Sequence, residues 1–384
     1  MMLRISPVAP LLLMEDIPLN KMKSFVVKSK LQDFPVHFVT DFTFIEKIID
    51  SPHCIIVGRN VYQLYKDTVL NHFIKENIIV LDLDEERKTM ETVLMIHEKL
   101  LNKAAKKNLT IISFGGGINQ DVIGFAASTL YRGVNWVYVP TTLLAMADSA
   151  IGLKTSLNFK KYKNVIGSFY PPSAIYVNVN FLDTLTKIDY ISGVGEITKL
   201  LLMDENAKEK LDLILQKITI LRERKNKEAI TDIIGSAMKV KLNYMDGDEF
   251  DTGRRNLLNY GHEYGHALEP ASSYYIPHGI AVMIGIIFAN YISVQRGWLS
   301  KALYRRINNT LLLPAIHDTD LQFKKTFFDT DTILENMKKD KKRISEGLVL
   351  VLPKKDLALV KINDLLIDEL LSSSIELRNL LHLS

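Results

Sequence analysis

Residues 109–128 read LTIISFGGGINQDVIGFAAS. A β-branched apolar run meets three glycines, Gly115, Gly116 and Gly117, and then continues as an apolar segment at helical spacing. Glycine at such a turn lets the backbone approach a ligand closely. The helix N-terminus behind it offers free N–H groups and a positive dipole end to a phosphate. A strand before and a helix after favour a dinucleotide-binding unit over a bare tight connection. The spacing departs from G-x-G-x-x-G, because Gln120 stands at the third glycine position.

Outward from this turn, HCIIVG (53–58), NIIVLDL (77–83), VNWVYVP (134–140) and SAIYVNV (173–179) read as further buried strands. Residues 86–108 carry helical periodicity between two of them. Alternating strands and helices predict a parallel sheet covered by helices. After about residue 186 the period changes. ISGVGEITKLLLM, KEKLDLILQKITILRERKN, EAITDIIGSAMKVKLNYM and HGIAVMIGIIFANYISVQRG all read as helices. A chain of 384 residues accommodates two domains. The expectation is an N-terminal α/β domain over 1–185 and a mostly helical domain over 186–384, joined near Thr184–Tyr190.

The hydrophobic fraction of 47% and charged fraction of 24% are those of a globular chain with sizeable cores. A net charge of +4 is too small for a nucleic-acid binder. One cysteine, Cys54, rules out an internal disulfide and suits a reducing, cytoplasmic setting. The apolar patch at Leu11–Leu13 is broken by Pro7 and Pro10 and followed by Glu15 and Asp16, which argues against a signal peptide. No apolar run reaches the length of about 20 residues that a membrane helix needs. KKDKKR (338–343) reads as a solvated charge run.

The stretch LNYGHEYGHALE (258–269) contains H-E-x-x-H, the zinc pattern of many metalloproteases. His262, His266 and His278 fall within 17 positions, the first two on one helix face. Three imidazoles this close, with acids nearby, indicate a metal site. The protease reading puts Gly261 and Gly265 in a helix interior, where glycine is costly. It also leaves the dinucleotide-type half without a purpose.

The ordered motifs SFGGGINQDVIGFAASTLYRGVNWVYVPTTLLAMADSAIGLKTSLN, YKNVIGSFYPP, FLDTL, GVGEITKLLLM, DEFDTGRRNLLNYGHEYGHALE and PHGIAV resemble the sugar phosphate cyclases, and most of all the 3-dehydroquinate synthases. The resemblance runs from about Glu85 to Lys342. It implies a Rossmann-like NAD-binding domain, a helical metal-binding domain and a homodimer. It implies Glu196, His262 and His278 as ligands of one divalent cation (Zn²⁺ or Co²⁺), and His266 as a proton-handling residue. Lys154, Lys199 and Asp148 join His266 as candidate catalytic residues. Glu85, Lys88, Gly115, Gly116, Gly117, Asp121, Thr141, Thr142, Asp148, Lys154 and Lys163 match positions that hold NAD or stand between NAD and substrate. Arg132, reaching across the dimer, Asn164 and a lysine of DKK (Lys341 or Lys342) match phosphate contacts. Lys199, Lys241, Arg255, Asn259 and His266 match contacts to the rest of the substrate. Arg255 suits a carboxylate, since a guanidinium grips it in two places.

The implied reaction is redox-neutral. Hydride leaves a substrate alcohol for NAD⁺, the ketone acidifies the neighbouring C–H, phosphate is eliminated, hydride returns, and ring opening and closure give a carbocycle. The expected substrate is a small anionic sugar phosphate, 3-deoxy-arabino-heptulosonate 7-phosphate. The retained Lys241, Arg255 and Asn259 favour it over the carboxylate-free substrates of the inosose and valiolone branches. The rival readings are a specialised cyclase on another sugar phosphate, an NAD- and metal-dependent alcohol dehydrogenase, and a non-catalytic relative. The chain departs from the family pattern at Gly58, where an aspartate is common, at Gln120, Leu153 and Ser156, each in place of glycine, at Val179 and at Ile280.

Overall fold

The computed structural model describes residues 24–49, 52–103, 105–160, 162–338 and 348–383. The Leu11–Leu13 patch and the lysines Lys341 and Lys342 lie outside them. The strands are β1 (Ser24–Val27), β2 (Phe34–Phe38), β3 (His53–Gly58), β4 (Ile78–Leu81), β5 (Thr110–Gly115), β6 (Asn135–Pro140), β7 (Lys154–Phe159), β8 (Tyr162–Phe169), β9 (Ala174–Val177), β10 (Leu348–Pro353) and β11 (Leu359–Leu365). The helices of the first half are α1 (Phe44–Ile48), α2 (Arg59–Tyr65), α3 (Met90–Asn102), α4 (Gly117–Thr129) and α5 (Leu143–Ala147).

One seven-stranded sheet runs in the order β1-β2-β9-β6-β5-β3-β4. All of its pairings are parallel except β1 with β2. Ile55, Ile56, Val57, Ile111, Ile112 and Phe114 are fully buried, because helices cover both faces of a parallel sheet and its strands are mostly apolar on both sides. From β3 the chain steps outward to β4, and from β5 it steps the other way to β6. The crevice outside the carboxyl ends of β3 and β5 is therefore the switch point where α/β sheets hold ligands. Gly58 ends β3 and Gly115 ends β5, so the glycine-rich turn lies at that crevice.

The second half contains α6 (Lys187–Leu202), α7 (Leu211–Glu223), α8 (Lys227–Met245), α9 (His262–Ala271), α10 (His278–Gln295), α11 (Lys301–Ile307), α12 (Leu313–His317), α13 (Thr330–Lys338) and α14 (Ile367–Leu380). Thr186 caps α6 by accepting from the Asp189 amide, a favourable start for the helix. α10 is apolar on all sides, as a central helix must be. By length and composition alone it could cross a membrane, but 78% of it is buried inside the protein, packed on α6, α9 and α14.

The strand and helix expectations hold for each segment named above, with ends trimmed by a few residues. Sequence periodicity missed the antiparallel hairpins β7–β8 and β10–β11, so the helical half also carries a small sheet.

Candidate active site

Three helices meet through glycines. A Cβ on Gly195 of α6 would lie 2.2 Å from the Gly279 carbonyl oxygen of α10, and one on Gly279 would lie 1.8 Å from the Ser192 carbonyl oxygen. On the other side of α10, a Cβ on Gly285 would fall 1.9 Å from the Gly261 carbonyl oxygen. Gly261 is the N-cap of α9 with φ 77°, a left-handed conformation that favours glycine. The expectation that Gly261 sits inside the helix is corrected here: it begins the helix, and only Gly265 is interior, facing the Ala281 carbonyl. Backbone-to-backbone packing thus places Glu196, His278 and His262, each next to one of these glycines, at one point.

At that point Glu196 Oε1 lies 3.2 Å from His262 Nε2 and 3.1 Å from His278 Nε2, and Oε2 lies 2.7 Å from Lys199 Nζ. Glu196 is fully buried, yet neither carboxylate oxygen has a well-directed hydrogen bond. The other ring nitrogens are committed elsewhere: His262 Nδ1 to the Tyr260 carbonyl at 3.2 Å, and His278 Nδ1 to Glu269 Oε1 at 2.5 Å. Two imidazoles oriented from behind, with Nε2 atoms aimed at one unsatisfied carboxylate, fit a divalent cation held by two nitrogens and an oxygen. The ring nitrogens of His262, His266 and His278 approach within 4.8 Å of one another. His266 is the exposed member and stacks on His278 with centroids 5.5 Å apart. Glu263, the protease pattern's base, sits half-buried in the first turn of α9.

The charges follow from this packing. Burial raises the Glu196 carboxyl, but Lys199 and His262 outweigh it and hold it well below the usual range. Burial and Lys199 push His262 down to about 3. Burial lowers His278 too, but Glu269 and Glu196 on either side raise it to about 10.

The cofactor candidates gather at the switch-point crevice. A Cβ on Gly115 would fall 2.1 Å from Asn119 Cγ, and one on Gly116 would be 3.1 Å from Thr142 Cγ2; α4 begins at Gly117. The Thr141 amide donates to the Gly115 carbonyl at 3.0 Å, and Thr142 caps α5. Lys88 is buried between Asp121 (2.6 Å) and Asn164 Oδ1 (2.5 Å), so Asn164, a candidate phosphate contact, lies among the cofactor candidates. Burial raises the Asp121 carboxyl despite Lys88. Gln120 spans from α4 to Ser149, donating to its carbonyl and accepting from its hydroxyl. Leu153 holds a left-handed φ of 62° while buried, a strained backbone for a residue with a Cβ. Ser156 donates to Asn164 Oδ1, and Ile280 is fully buried in α10.

Between crevice and histidine cluster lie three buried cations, Lys199, Lys241 and Arg255, each at most 6% exposed. A Cβ on Gly152 would meet Lys241 Nζ at 3.4 Å and Arg255 Nη2 at 3.8 Å, so the two cations converge there. Lys241 pairs with Asp148 at 2.9 Å. Burial, then Arg255 and Lys199, lower the Lys241 ammonium against the pull of Asp148. Burial raises Asp148, but Lys241 and Lys199 outweigh it and keep it below its usual value. Arg255 donates to two main-chain carbonyls, Glu249 and Gly152, and forms no ion pair with a described carboxylate. Asn259 donates to the Asn256 carbonyl at 2.8 Å.

Arg132 stands apart. It is exposed, with φ 65°, on the turn after α4. Twelve helical steps of about 1.5 Å put roughly 18 Å between that turn and the glycine-rich end of α4. Two acids missed in the sequence complete the site. Asp251 pairs with Lys154 at 2.6 Å, and Glu269 pairs with Lys163 at 3.1 Å, while Glu85 lies 3.5 Å from the same lysine. Glu269 stands three positions after His266, a spacing that shares a helix face. Asp251 is on a loop, where no periodicity marks it.

Residues 78–192 match the family described as 3-dehydroquinate synthase N-terminal, and residues 193–343 match 3-dehydroquinate synthase C-terminal. A 3-dehydroquinate synthase of Dictyoglomus thermophilum is 32% identical over 339 residues, covering 87% of this chain and 92% of that protein. Among solved structures, a 2-epi-5-epi-valiolone synthase from Streptomyces hygroscopicus, with NAD⁺ and Zn²⁺ bound, superposes with TM-score 0.81 at 24% identity, covering 92% of this chain and 98% of that one. A 2-deoxy-scyllo-inosose synthase complexed with carbaglucose-6-phosphate, NAD⁺ and Co²⁺ follows at TM-score 0.77 and 22% identity, covering 93% and 99%. Those two likenesses speak for the fold, while the sequence matches over nearly the whole length speak for descent. This chain belongs to the 3-dehydroquinate synthase family.

Proposed function

We propose that this chain is a sugar phosphate cyclase that converts 3-deoxy-arabino-heptulosonate 7-phosphate to 3-dehydroquinate, with phosphate eliminated and NAD reduced and reoxidised within each turnover. The observation that carries the substrate reading is the convergence of Lys241 and Arg255 at Gly152. Burying cations together is costly unless anions join them. Asp148 pairs with Lys241 and Glu196 with Lys199, which leaves Arg255 as the cation without an ion pair to a described carboxylate. The Arg255 guanidinium donates to main-chain carbonyls and feels Asp251, Asp148, Asp248 and Glu249 nearby without an ion pair to any of them, so it suits a substrate carboxylate.

On this reading residues 1–185 hold NAD and residues 186–384 hold the cation and the substrate. Glu196, His262 and His278 bind the divalent cation, and the turn of Gly115, Gly116 and Gly117, with Lys88, Asp121, Thr141, Thr142 and Lys163, binds NAD. When bound, the cation supplies Lewis acidity at the substrate alcohol and NAD supplies a reversible hydride acceptor. His266, exposed beside the cluster, relays the alcohol proton. Lys199 and Lys241 fix the substrate's oxygens and neutralise developing charge. Asp148 holds Lys241 in place, and Asp251 holds Lys154. Arg132 serves the phosphate of a partner protomer, which its distance from its own glycine turn supports, and the enzyme is a cytoplasmic homodimer.

The test is a panel of sugar phosphates with and without a carboxylate, assayed with wild type and Arg255→Ala. Wild type should turn over the heptulosonate, and the variant should lose that activity through KM. Undiminished activity of the variant on the acid would overturn the substrate reading.

A further inference from the structure

Glu269 belongs to neither binding set, yet its two oxygens reach both. Oε1 accepts from Nδ1 of His278 at 2.5 Å. Oε2 accepts from Lys163 Nζ at 3.1 Å. Beyond His278, Nε2 faces Glu196 Oε1 at 3.1 Å. Beyond Lys163, Glu85 Oε1 lies at 3.5 Å, and the Tyr274 ring covers the ammonium at 4.2 Å. The result is a row of side chains in contact, Glu196–His278–Glu269–Lys163–Glu85, from the histidine cluster to the crevice. Its members come from α6, α10, α9, β8 and the loop before α3. Glu269 is buried, so both of its contacts act in a medium that screens them little. Burial lowers the Lys163 ammonium, but Glu269 and Glu85 outweigh it and raise it, which fixes the lysine as a cation.

We infer that Glu269 is a positioning residue that couples the two sites, so that divalent cation and NAD⁺ each strengthen the other's binding through one carboxylate. The inference rests on the assignment of His278 to the cation and Lys163 to NAD⁺ proposed above. The physical reason is shared ordering. A cation on His278 fixes the ring whose Nδ1–H anchors Glu269, and the anchored carboxylate holds Lys163 where the cofactor meets it. Whichever ligand binds first orders the row, and the second then binds to groups already placed. Linkage requires the same factor in both directions.

The experiment uses the full chain stripped of metal by a chelator. Co²⁺ is titrated by its visible absorption with and without saturating NAD⁺, and NAD⁺ is titrated calorimetrically with and without Co²⁺. Wild type should show an equal gain of about fivefold or more in both directions. Glu269→Gln keeps an acceptor for His278 and turns its amide donor toward Lys163. It should still bind both ligands, with the coupling factor reduced to near one. Lys163→Gln, on a partly exposed position of β8, should give the same loss from the other end and leave Co²⁺ affinity without NAD⁺ unchanged. Independent binding in wild type, or full coupling retained in both variants, overturns the inference and leaves the proposed function standing. Absence of NAD⁺ or Co²⁺ binding in wild type overturns the proposed function and the inference with it.

Discussion

Replacing Gly195 by alanine should open the cation cluster without touching a ligand. The added Cβ would stand 2.2 Å from the Gly279 carbonyl oxygen, whereas ordinary contact begins at 3.4 Å, so α6 and α10 must part by 1.2 Å (3.4 − 2.2). Both neighbouring atoms are backbone and neither can rotate away. Glu196 follows Gly195, and His278 precedes Gly279. The 3.1 Å between Glu196 Oε1 and His278 Nε2 would stretch to as much as 4.3 Å (3.1 + 1.2). Metal–ligand distances tolerate only about 0.2 Å. The expected result is a loss of cation affinity on the order of 10- to 100-fold or more, with an overpacking cost of about 1–3 kcal/mol. Competition of Zn²⁺ against a chromophoric chelator reads the first, and calorimetric melting of the metal-free protein reads the second. Gly247→Ala is the control: its φ is 72° with no atom within 4 Å, so it should cost about 1–2 kcal/mol of backbone strain with cation affinity intact. Wild-type cation affinity in Gly195→Ala would refute the claim that this helix contact sets the ligand geometry.

Other consequences follow from the same contacts. Arg255→Lys keeps the charge but loses the two-pronged grip, and kcat/KM on the carboxylate substrate should fall about 10- to 100-fold, as expected for losing a charged hydrogen bond. Asp251→Asn removes the carboxylate 2.6 Å from Lys154 and should lower kcat more than it alters substrate affinity, checked by steady-state kinetics. Adding Zn²⁺ to the metal-free protein should raise the melting temperature, and a chelator should reverse the gain, because a ligand of the folded state stabilises by mass action. At the C-terminal end, Arg296 holds the Glu369 carboxyl below its ordinary value. A depressed folded pKa gives stability that is present above the unfolded carboxylate value and lost as pH falls through the folded one. The melting gap between wild type and Glu369→Gln should therefore be widest near neutral pH and close in acid.

How much could be read in advance depends on how local each signal is. The strands β3, β5 and β6 were legible because burial on both faces leaves continuous apolar runs. α6, α8 and α10 were legible because their periodicity spans several turns. The hairpin β7–β8 was not: its strands are partly exposed, as Tyr162 and Val165 show, so neither a continuous run nor a clean alternation appears. The strands β1 and β2 are short, and Pro35 interrupts the pattern. In the site, the Gly115–Gly117 turn and the histidine pair were visible because a few adjacent residues carry them. The pairings were not: Lys163 and Glu269 are 106 residues apart, and Lys154 and Asp251 are 97 apart. Only the fold brings such partners together, and no spacing rule reaches them. Gly261 was misplaced for a related reason, since whether a glycine starts a helix or interrupts it depends on φ, which composition does not reveal.

The central claim is that this site performs a redox-neutral cyclisation with phosphate elimination. The most direct test is to follow phosphate release, NADH absorbance and product mass together, with purified protein, NAD⁺, Co²⁺ or Zn²⁺ and 3-deoxy-arabino-heptulosonate 7-phosphate. The account predicts multiple turnovers of phosphate and 3-dehydroquinate with no net NADH. Stoichiometric NADH without phosphate release would make the protein a dehydrogenase and contradict it.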